Sequence, residues 1–477
     1  MLISNAEIYR GGHGSVRVAH GKISEIGALT PNPGERVIDA AGGALLPGLN
    51  DHHLHLLSLA AADASVPCGP PHVKSAEDLI AALRDAHQGA NDAQADVWIR
   101  GIGYHECVAG KIDRAWLDRH AGPGPVRIQH RSGRLWIVNS DALQAIRLAL
   151  QRLPQSQRPS ISTDGRLYDI DPALHLLRDA ARPAVDSISA KLASFGVSGF
   201  TDMTPNNDIE TLNRFARLQR DGRLLQHVRV GGRLNLPKNY AASAPAGTRL
   251  HSGATKIHLH ESNLPRFQTL CETIAASHAG NREVAIHCVT QVELVFALAA
   301  LREAEPLPGD RIEHASVTPP ELLEQIGAAE LTVVTQPNFI SERGDAYLTD
   351  VPPSEHPWLY RCRSFLDHGI ALAGGTDAPF GHCDPWRAMA AAVQRETADK
   401  CVLGETEALS PEQALDLFLG ALDHPARPRR ITRHAAADLC VLDVPWSEAR
   451  QALTSSRVRA TVRAGELIFD RVDEAPA

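Results

Sequence analysis

The chain is predicted to be an α/β protein: a distorted (β/α)8 TIM barrel carrying a β-sandwich domain formed by both termini and an inserted lid subdomain. Three observations predict this. Short β-like runs open and close the chain. Between them strand-like and helix-like segments alternate, which is the pattern of a parallel sheet with crossover helices. Histidine, lysine or aspartate recurs near the ends of several strand-like runs, and in a barrel those ends form one face where catalytic groups meet.

In order, Leu2 to Tyr9, Val16 to Ala19 and Lys22 to Ile26, with a turn at His20-Gly21, read as short strands. Asp438 to Leu442, Ala460 to Ala464 and Leu467 to Asp470, turning at Gly465, mirror them at the far end. Each set has too few strands to bury a face alone, so residues 1–49 and 430–477 are expected to pair into one β-sandwich. Residues 50–429 form the barrel domain, with strands ending at His55, near Thr201 and Asp202, at Lys256 to His260, at His287, at His314, near Gln336 and at Asp377. Helices over Leu264 to His278, Val292 to Ala304 and Pro320 to Ala328 follow three of these strands. Residues from about 60 to 185 exceed one barrel unit and contain β-like runs at Asp96 to Arg100 and Val126 to Gln129. That excess marks an inserted subdomain, expected over the mouth. Gly69-Pro-Pro71 and Gly122-Pro-Gly-Pro125 mark loops.

With 43% hydrophobic and 22% charged residues, the composition is that of a soluble globular protein. The net charge of −8 is spread along the chain, which argues against a nucleic-acid or anionic-membrane surface and leaves small-molecule substrates open. Eight cysteines without a CxxC pair or regular spacing read as reduced thiols. The first residues lack a basic stretch followed by an apolar one, and no run approaches about 18 apolar residues. A cytoplasmic enzyme is the expectation. A homo-oligomer stays open, because barrel enzymes are often symmetric oligomers and no segment marks an interface.

Asp51-His-His-Leu-His55 is the most informative run. Side chains alternate along a strand, so His53 and His55 aim to one side of it. Two converging imidazoles suit a divalent ion, which neutral imidazole nitrogens hold at about 2.0–2.1 Å. An HxH pair also occurs as a structural pair satisfied by backbone groups. Later strand ends add Lys256, His287 in Val284-Ala-Ile-His287, His314 in Arg311-Ile-Glu-His314, and Asp377 in Gly374-Gly-Thr-Asp377-Ala-Pro379. Singly, each has a plainer role: His287 and His314 as core histidines, Asp377 as a helix cap, Lys256 as a partner for a carboxylate. Together, at one barrel face, they compose a metal site. Pocket candidates from the mouth loops are Tyr104, His105, Arg131, Trp136, Asp202, Asn338, Phe339 and His382. Tyr104 and Trp136 would supply apolar walls, and Arg131 would hold a carbonyl or carboxylate. Gly11-Gly-His-Gly14 and Gly101-Ile-Gly103 do not match a dinucleotide fingerprint, and no Ser-His-Asp context resembles GxSxG.

These stretches carry a likeness to a known family: Leu46-Pro-Gly-Leu-Asn-Asp-His-His-Leu-His55, Gly253-Ala-Thr-Lys256-Ile257, the two histidine strands, Gly375-Thr-Asp377-Ala-Pro379 with Asp384-Pro385, and Ala437-Asp-Leu-Cys-Val-Leu-Asp443. On these the chain resembles, over nearly its whole length, the amidohydrolase superfamily. Within it, the chain is similar to the YtcJ-like metal-dependent hydrolases of amidohydrolase family 3 that include N-substituted formamide deformylases. Trp98-Ile-Arg-Gly-Ile-Gly-Tyr104 and Trp136-Ile-Val-Asn-Ser-Asp-Ala-Leu143 look like the same branch.

The resemblance implies that His53, His55 and Asp377 bind one divalent ion and His287 and His314 a second, with Lys256 bridging them as a carbamate. Zinc is the expected metal, with a one-ion site as the variant. A protonated ammonium cannot ligate, burial disfavours its charge, and a carbamylated amine presents two anionic oxygens to two cations. The implied reaction is hydrolysis of a non-peptide C–N bond in an amide, formamide or cyclic amide by attack of a metal-bound hydroxide, with Asp377 carrying the proton. Two alternatives stand beside it: a mononuclear-metal deaminase of a heterocycle, and an inactive barrel serving as a binding scaffold. The sequence departs from the branch at two places. After Lys256 comes Ile257-His-Leu-His-Glu261 instead of Asp-Gly, so His258 and His260 share the parity of Lys256 and face the interior as ligands, substrate contacts or hydrogen-bonded layer residues. Arg131-Ser-Gly-Arg134 stands where the branch tends to carry Asp-Gly-His.

Overall fold

Eight parallel strands position the site: β1 (Leu49–Leu54), β2 (Val197–Asp202), β3 (His227–Gly232), β4 (Leu250–His258), β5 (Val284–Cys288), β6 (Arg311–His314), β7 (Thr332–Thr335) and β8 (Ala371–Gly374), hydrogen-bonded in that order. The computed structural model describes residues 1–70, 72–92, 98–155, 158–168, 170, 184–238, 240 and 249–471. The chain divides into two compact units, Met1–Leu59 with Val185–Ala477, and Ala60–Ala184.

The barrel strands read as apolar runs because both of their faces are covered. Val284, Ala285, Ile286, Ile312, Val333 and Val334 are all fully buried. Helices Phe267–Ala279, Gln291–Ala304 and Pro320–Ala328 return the chain after β4, β5 and β6, each within three residues of its expected bounds. Strand β3 is the one that the sequence reading left out. Val228 and Val230 alternate with His227 and Arg229, but Gly231-Gly232 resembles a loop signal. Those glycines are there for contact, since a Cβ on Gly231 would lie 2.8 Å from Met203 Sδ.

The ring closes between β8 and β1, and this seam is where the barrel is distorted. Lower down, Gly374 N bonds Leu417 O and Asn50 N bonds Phe418 O, so a loop segment fills the gap between the strands. At the rim the chain after β8 meets β1 directly, through Asp377 N to His53 O at 2.8 Å and His55 N to Ala378 O at 2.8 Å. Gly375 makes that approach feasible: a Cβ there would lie 2.5 Å from His53 Cβ and 2.7 Å from His53 N.

Strands from both termini form one eight-stranded sheet, joined where Ala44–Pro47 runs antiparallel to Leu439–Leu442. Ile23 N to Ala435 O and Ala437 N to Gly21 O carry the far N-terminal hairpin back to the segment entering Leu439. Ile3, Ile8, Val16, Val18, Leu439, Val441 and Val462 thereby share one core. Each such side chain stabilises by about 1.5–3 kcal/mol when fully buried, which neither terminal set achieves alone. Asp438 ties this sheet to the barrel, with His227 Nε2 at 3.1 Å and Arg429 Nη1 at 3.6 Å.

The unit Ala60–Ala184 has its own five-stranded sheet, in the order Arg166–Tyr168, Leu135–Val138, Val126–His130, Ile99–Tyr104 and Val66–Pro67. Leu79, Leu83, Ile99, Tyr104, Ile128 and Ile137 belong to its core. The expected run from Asp96 begins among residues 93–97, outside the described residues. Among the described residues, no helix is long and apolar enough to cross a membrane.

Candidate metal centre

His53 and His55 stand at the end of β1 and Asp377 three residues beyond β8, all buried. Their ligand atoms lie within 4.8 Å of one another. Asp377 Oδ1 is 3.1 Å from His55 Nε2 and 3.5 Å from His53 Nε2. Asp51 laces the two strand ends together: its carboxylate accepts His53 N at 3.0 Å, Thr376 N at 3.1 Å and Thr376 Oγ1 at 2.5 Å. Burial pushes the Asp51 carboxyl up to about 7 against these bonds. Asp377 has φ 53° and His314 φ 71°, left-handed conformations that cost a non-glycine residue about 1–3 kcal/mol. The surrounding hydrogen bonds hold them there, and such strain gathers at functional sites.

The next ring of donors follows from strand register. Lys256 pairs with Ala285, His258 with His287, His287 with Glu313 and Cys288 with His314. The His287 and His314 rings lie 4.4 Å apart, and those of His53 and His314 4.9 Å. Outer partners fix the rings. Glu313 accepts from His53 Nδ1, Gln336 Oε1 accepts from His314 Nδ1 at 2.6 Å, and Thr204 Oγ1 is 3.1 Å from His55 Nδ1. For His53 and His314 this leaves Nε2 with its lone pair inward, the form that binds metals.

Electrostatics favours the same state. Burial is the leading cause that lowers His53 to about 4 and His314 to about 3, and it holds His287 well below its usual value. The imidazoles are therefore neutral near pH 7. Burial opposes the charge of Asp377, yet the His55 hydrogen bond with His53 and His314 nearby keeps its carboxyl far below the usual range. Glu313 is likewise held well below its range, by Arg311, His53 and Lys256 against burial. Burial pushes Lys256 down to about 8, and among the described residues its buried Nζ has no hydrogen-bond partner.

The six expected ligands thus meet at one end of the barrel, with His258 stacked on His287 at 4.2 Å. His260 Nδ1 is engaged by Ser262. A cavity of about 540 Å³, within the size range of small-molecule sites, is lined by His260, Val289, Thr290 and His287 among others.

The other expected substrate contacts are held by neighbouring groups. Asp202 spends its carboxylate on Leu56 N at 2.8 Å, Thr204 N at 3.0 Å and Asn207 Nδ2 at 2.7 Å, so it starts the helix after β1. Asn338 donates to Thr376 O at 3.1 Å and braces the backbone before Asp377. Phe339 packs against Tyr360, with Arg343 over its ring. His382 Nδ1 takes Asp384 N–H at 3.2 Å, and burial lowers its ring to about 4.

In the other unit, Tyr104 is core, its hydroxyl donating to Gly110 O at 2.6 Å. Trp136 is buried beneath the guanidinium groups of Arg100 and Arg127. His105 caps the helix Glu106–Ala109, and Arg131 is exposed. His105, Glu106 and His130 also lie within 4.8 Å of one another. Their atoms are engaged otherwise: His105 Nδ1 by Cys107 N, His130 Nδ1 by Ser132, and Glu106 by His130 and Arg166.

Glu313, Asp51, Thr204, Gln336 and Thr376 are the supporting residues that sequence reasoning missed. Asp51, Glu313 and Thr376 lay inside the quoted runs and Gln336 near an expected strand end, but their residue types alone did not mark these roles.

The profile of the amidohydrolase family matches residues 36–469. An N-substituted formamide deformylase of Arthrobacter pascens is 24% identical, over 96% of this chain and 95% of that one. The putative amidohydrolase YtcJ of Bacillus subtilis (strain 168) is 21% identical, over 92% of each. Among solved structures, an uncharacterized metal-dependent hydrolase from Pyrococcus horikoshii OT3 superposes with a TM-score of 0.73 at 20% identity, over 93% of this chain and 97% of that one, a likeness of fold.

Proposed function

We propose, for a chain that belongs to the amidohydrolase family, that it hydrolyses a non-peptide C–N bond of a small amide, formamide or cyclic amide with divalent metal, zinc in the first instance. The observation that carries this is the buried convergence of His53, His55 and Asp377 within 4.8 Å. Neutral imidazoles with a carboxylate fit zinc by donor type. The buried Lys256 Nζ, without a partner among the described residues, fits a lysine awaiting an anionic modification. The name of the Arthrobacter relative supports a small amide or formamide as substrate.

In this reading His53, His55 and Asp377 would hold one ion and His287 and His314 a second, with Lys256 contributing as a carbamate. Bound there, divalent ions polarise a carbonyl oxygen and lower the pKa of water. The chain's own residues do the rest. The neutral fraction of the Lys256 amine, available because its pKa is near 8, adds to carbon dioxide and loses a proton to become the carbamate. Glu313 and Gln336 keep two imidazole planes fixed. Asp377, ionised and in contact with His55, takes a proton from the attacking water and returns it to the departing nitrogen.

The test is metal analysis of the purified protein with a screen of N-formyl, N-acyl and cyclic amides that follows amine release. About two zinc ions per chain are expected, with turnover lost to a chelator and regained with zinc and bicarbonate. One ion with ammonia release from a heterocycle would point to the deaminase instead. A chain that takes up no metal would be a scaffold.

A further inference from the structure

We infer that His258 is a positioning residue of this centre, covering one face of His287 and setting the plane in which that ring meets an ion without binding the ion itself. It rests on the metal reading above. Each of the other three imidazoles is oriented by a polar partner: Glu313 for His53, Thr204 for His55 and Gln336 for His314. Among the described residues His287 has no hydrogen-bond partner for its ring. Its orienting contact is the stack with His258, whose ring lies 4.2 Å away and 14° from parallel.

The register of β4 and β5 puts the two residues side by side, so their side chains stand on the same face. An ion bound through an imidazole nitrogen lies in the plane of that ring. Two rings in near-parallel, stacked planes have no such point in common, so this pair cannot share an ion as it stands. By contrast, His287 and His314 are inclined by 71° and His53 and His314 by 49°, and their planes intersect. His258 is also the outermost ring, exposed where His287 is half-buried and His314 buried. A flat, partly apolar cover on the open side of His287 does there what a hydrogen bond does for the other rings.

Two variants test this, His258→Ala and His258→Phe, with zinc affinity read by chelator competition and ligand field by the absorption of the cobalt-substituted protein. His258→Ala is expected to weaken one of the two ions by about 10- to 100-fold, the range for losing a residue that orients a ligand, while His258→Phe stays within about threefold of wild type. The cobalt spectrum of His258→Phe should match wild type, since no ligand nitrogen has gone. Wild-type affinity in His258→Ala would overturn the inference. So would a His258→Phe protein as impaired as His258→Ala with an altered cobalt spectrum, which would make His258 a ligand. If wild type itself binds no zinc, the metal reading fails, and the inference with it; if wild type binds two ions but the variants behave as just described, the inference alone fails.

Discussion

Asp377 and Glu313 show how differently a buried carboxylate can serve one site. Asp377 faces the centre and touches His55 Nε2, whereas Glu313 lies behind His53 with Arg311 at its back. Asp377→Asn keeps the shape but cannot carry a proton, and kcat is expected to fall by about 10²–10⁴-fold with most of the zinc retained. Steady-state kinetics on metal-quantified protein checks it. Glu313→Gln removes the acceptor charge behind His53 and is expected to weaken zinc binding by about 10- to 100-fold, measurable by chelator competition. The candidate ligands were legible in the sequence because the chemistry of an ion restricts residue type, and strand alternation restricts spacing. Glu313, Thr204 and Gln336 were not, because their roles depend on which strands become neighbours. Tyr104, Asp202 and Asn338 bond nearby backbone groups, which residue type does not reveal.

At the scale of elements, the seam between β8 and β1 decides whether the ligands meet at all. Gly375→Ala would press a methyl group against His53 Cβ and N, which are 2.5 and 2.7 Å from the new atom. A loss of about 1–3 kcal/mol in urea unfolding of the metal-free protein is expected, with reduced zinc content because His53 moves. Asp438 secures the other seam, between terminal sheet and barrel. Burial opposes its ionisation, but His227, Arg429 and Ala464 N–H together hold the folded carboxyl below its usual value. Its contribution is therefore present above the unfolded pKa of about 3.9 and is lost as pH falls through the lower folded value. Asp438→Asn should cost about 1–3 kcal/mol at pH 7 and show a shallower loss of stability on acidification, read by denaturation across pH. Most barrel strands were legible because doubly buried strands are apolar runs, here ending in polar residues. Strand β3 carries no ligand and ends in two glycines, so its place follows only from pairing with β2 and β4.

At the scale of the whole molecule, two small strand sets at opposite ends of the chain announced a shared sheet because neither could bury a face. Residues from about 60 to 185 exceed one barrel unit, and Ala60–Ala184 is a compact unit with a five-stranded sheet and a core of its own. In the proposed reading, the barrel brings six polar side chains, distant in sequence, to a common ion site. Crystals grown with zinc and measured at the zinc absorption edge test that most directly. The expected result is anomalous density about 2.0–2.1 Å from His53 and His55 nitrogens and beside Asp377, with a second peak at His287 and His314. Zinc peaks located elsewhere on the protein, with none between these residues, would contradict it.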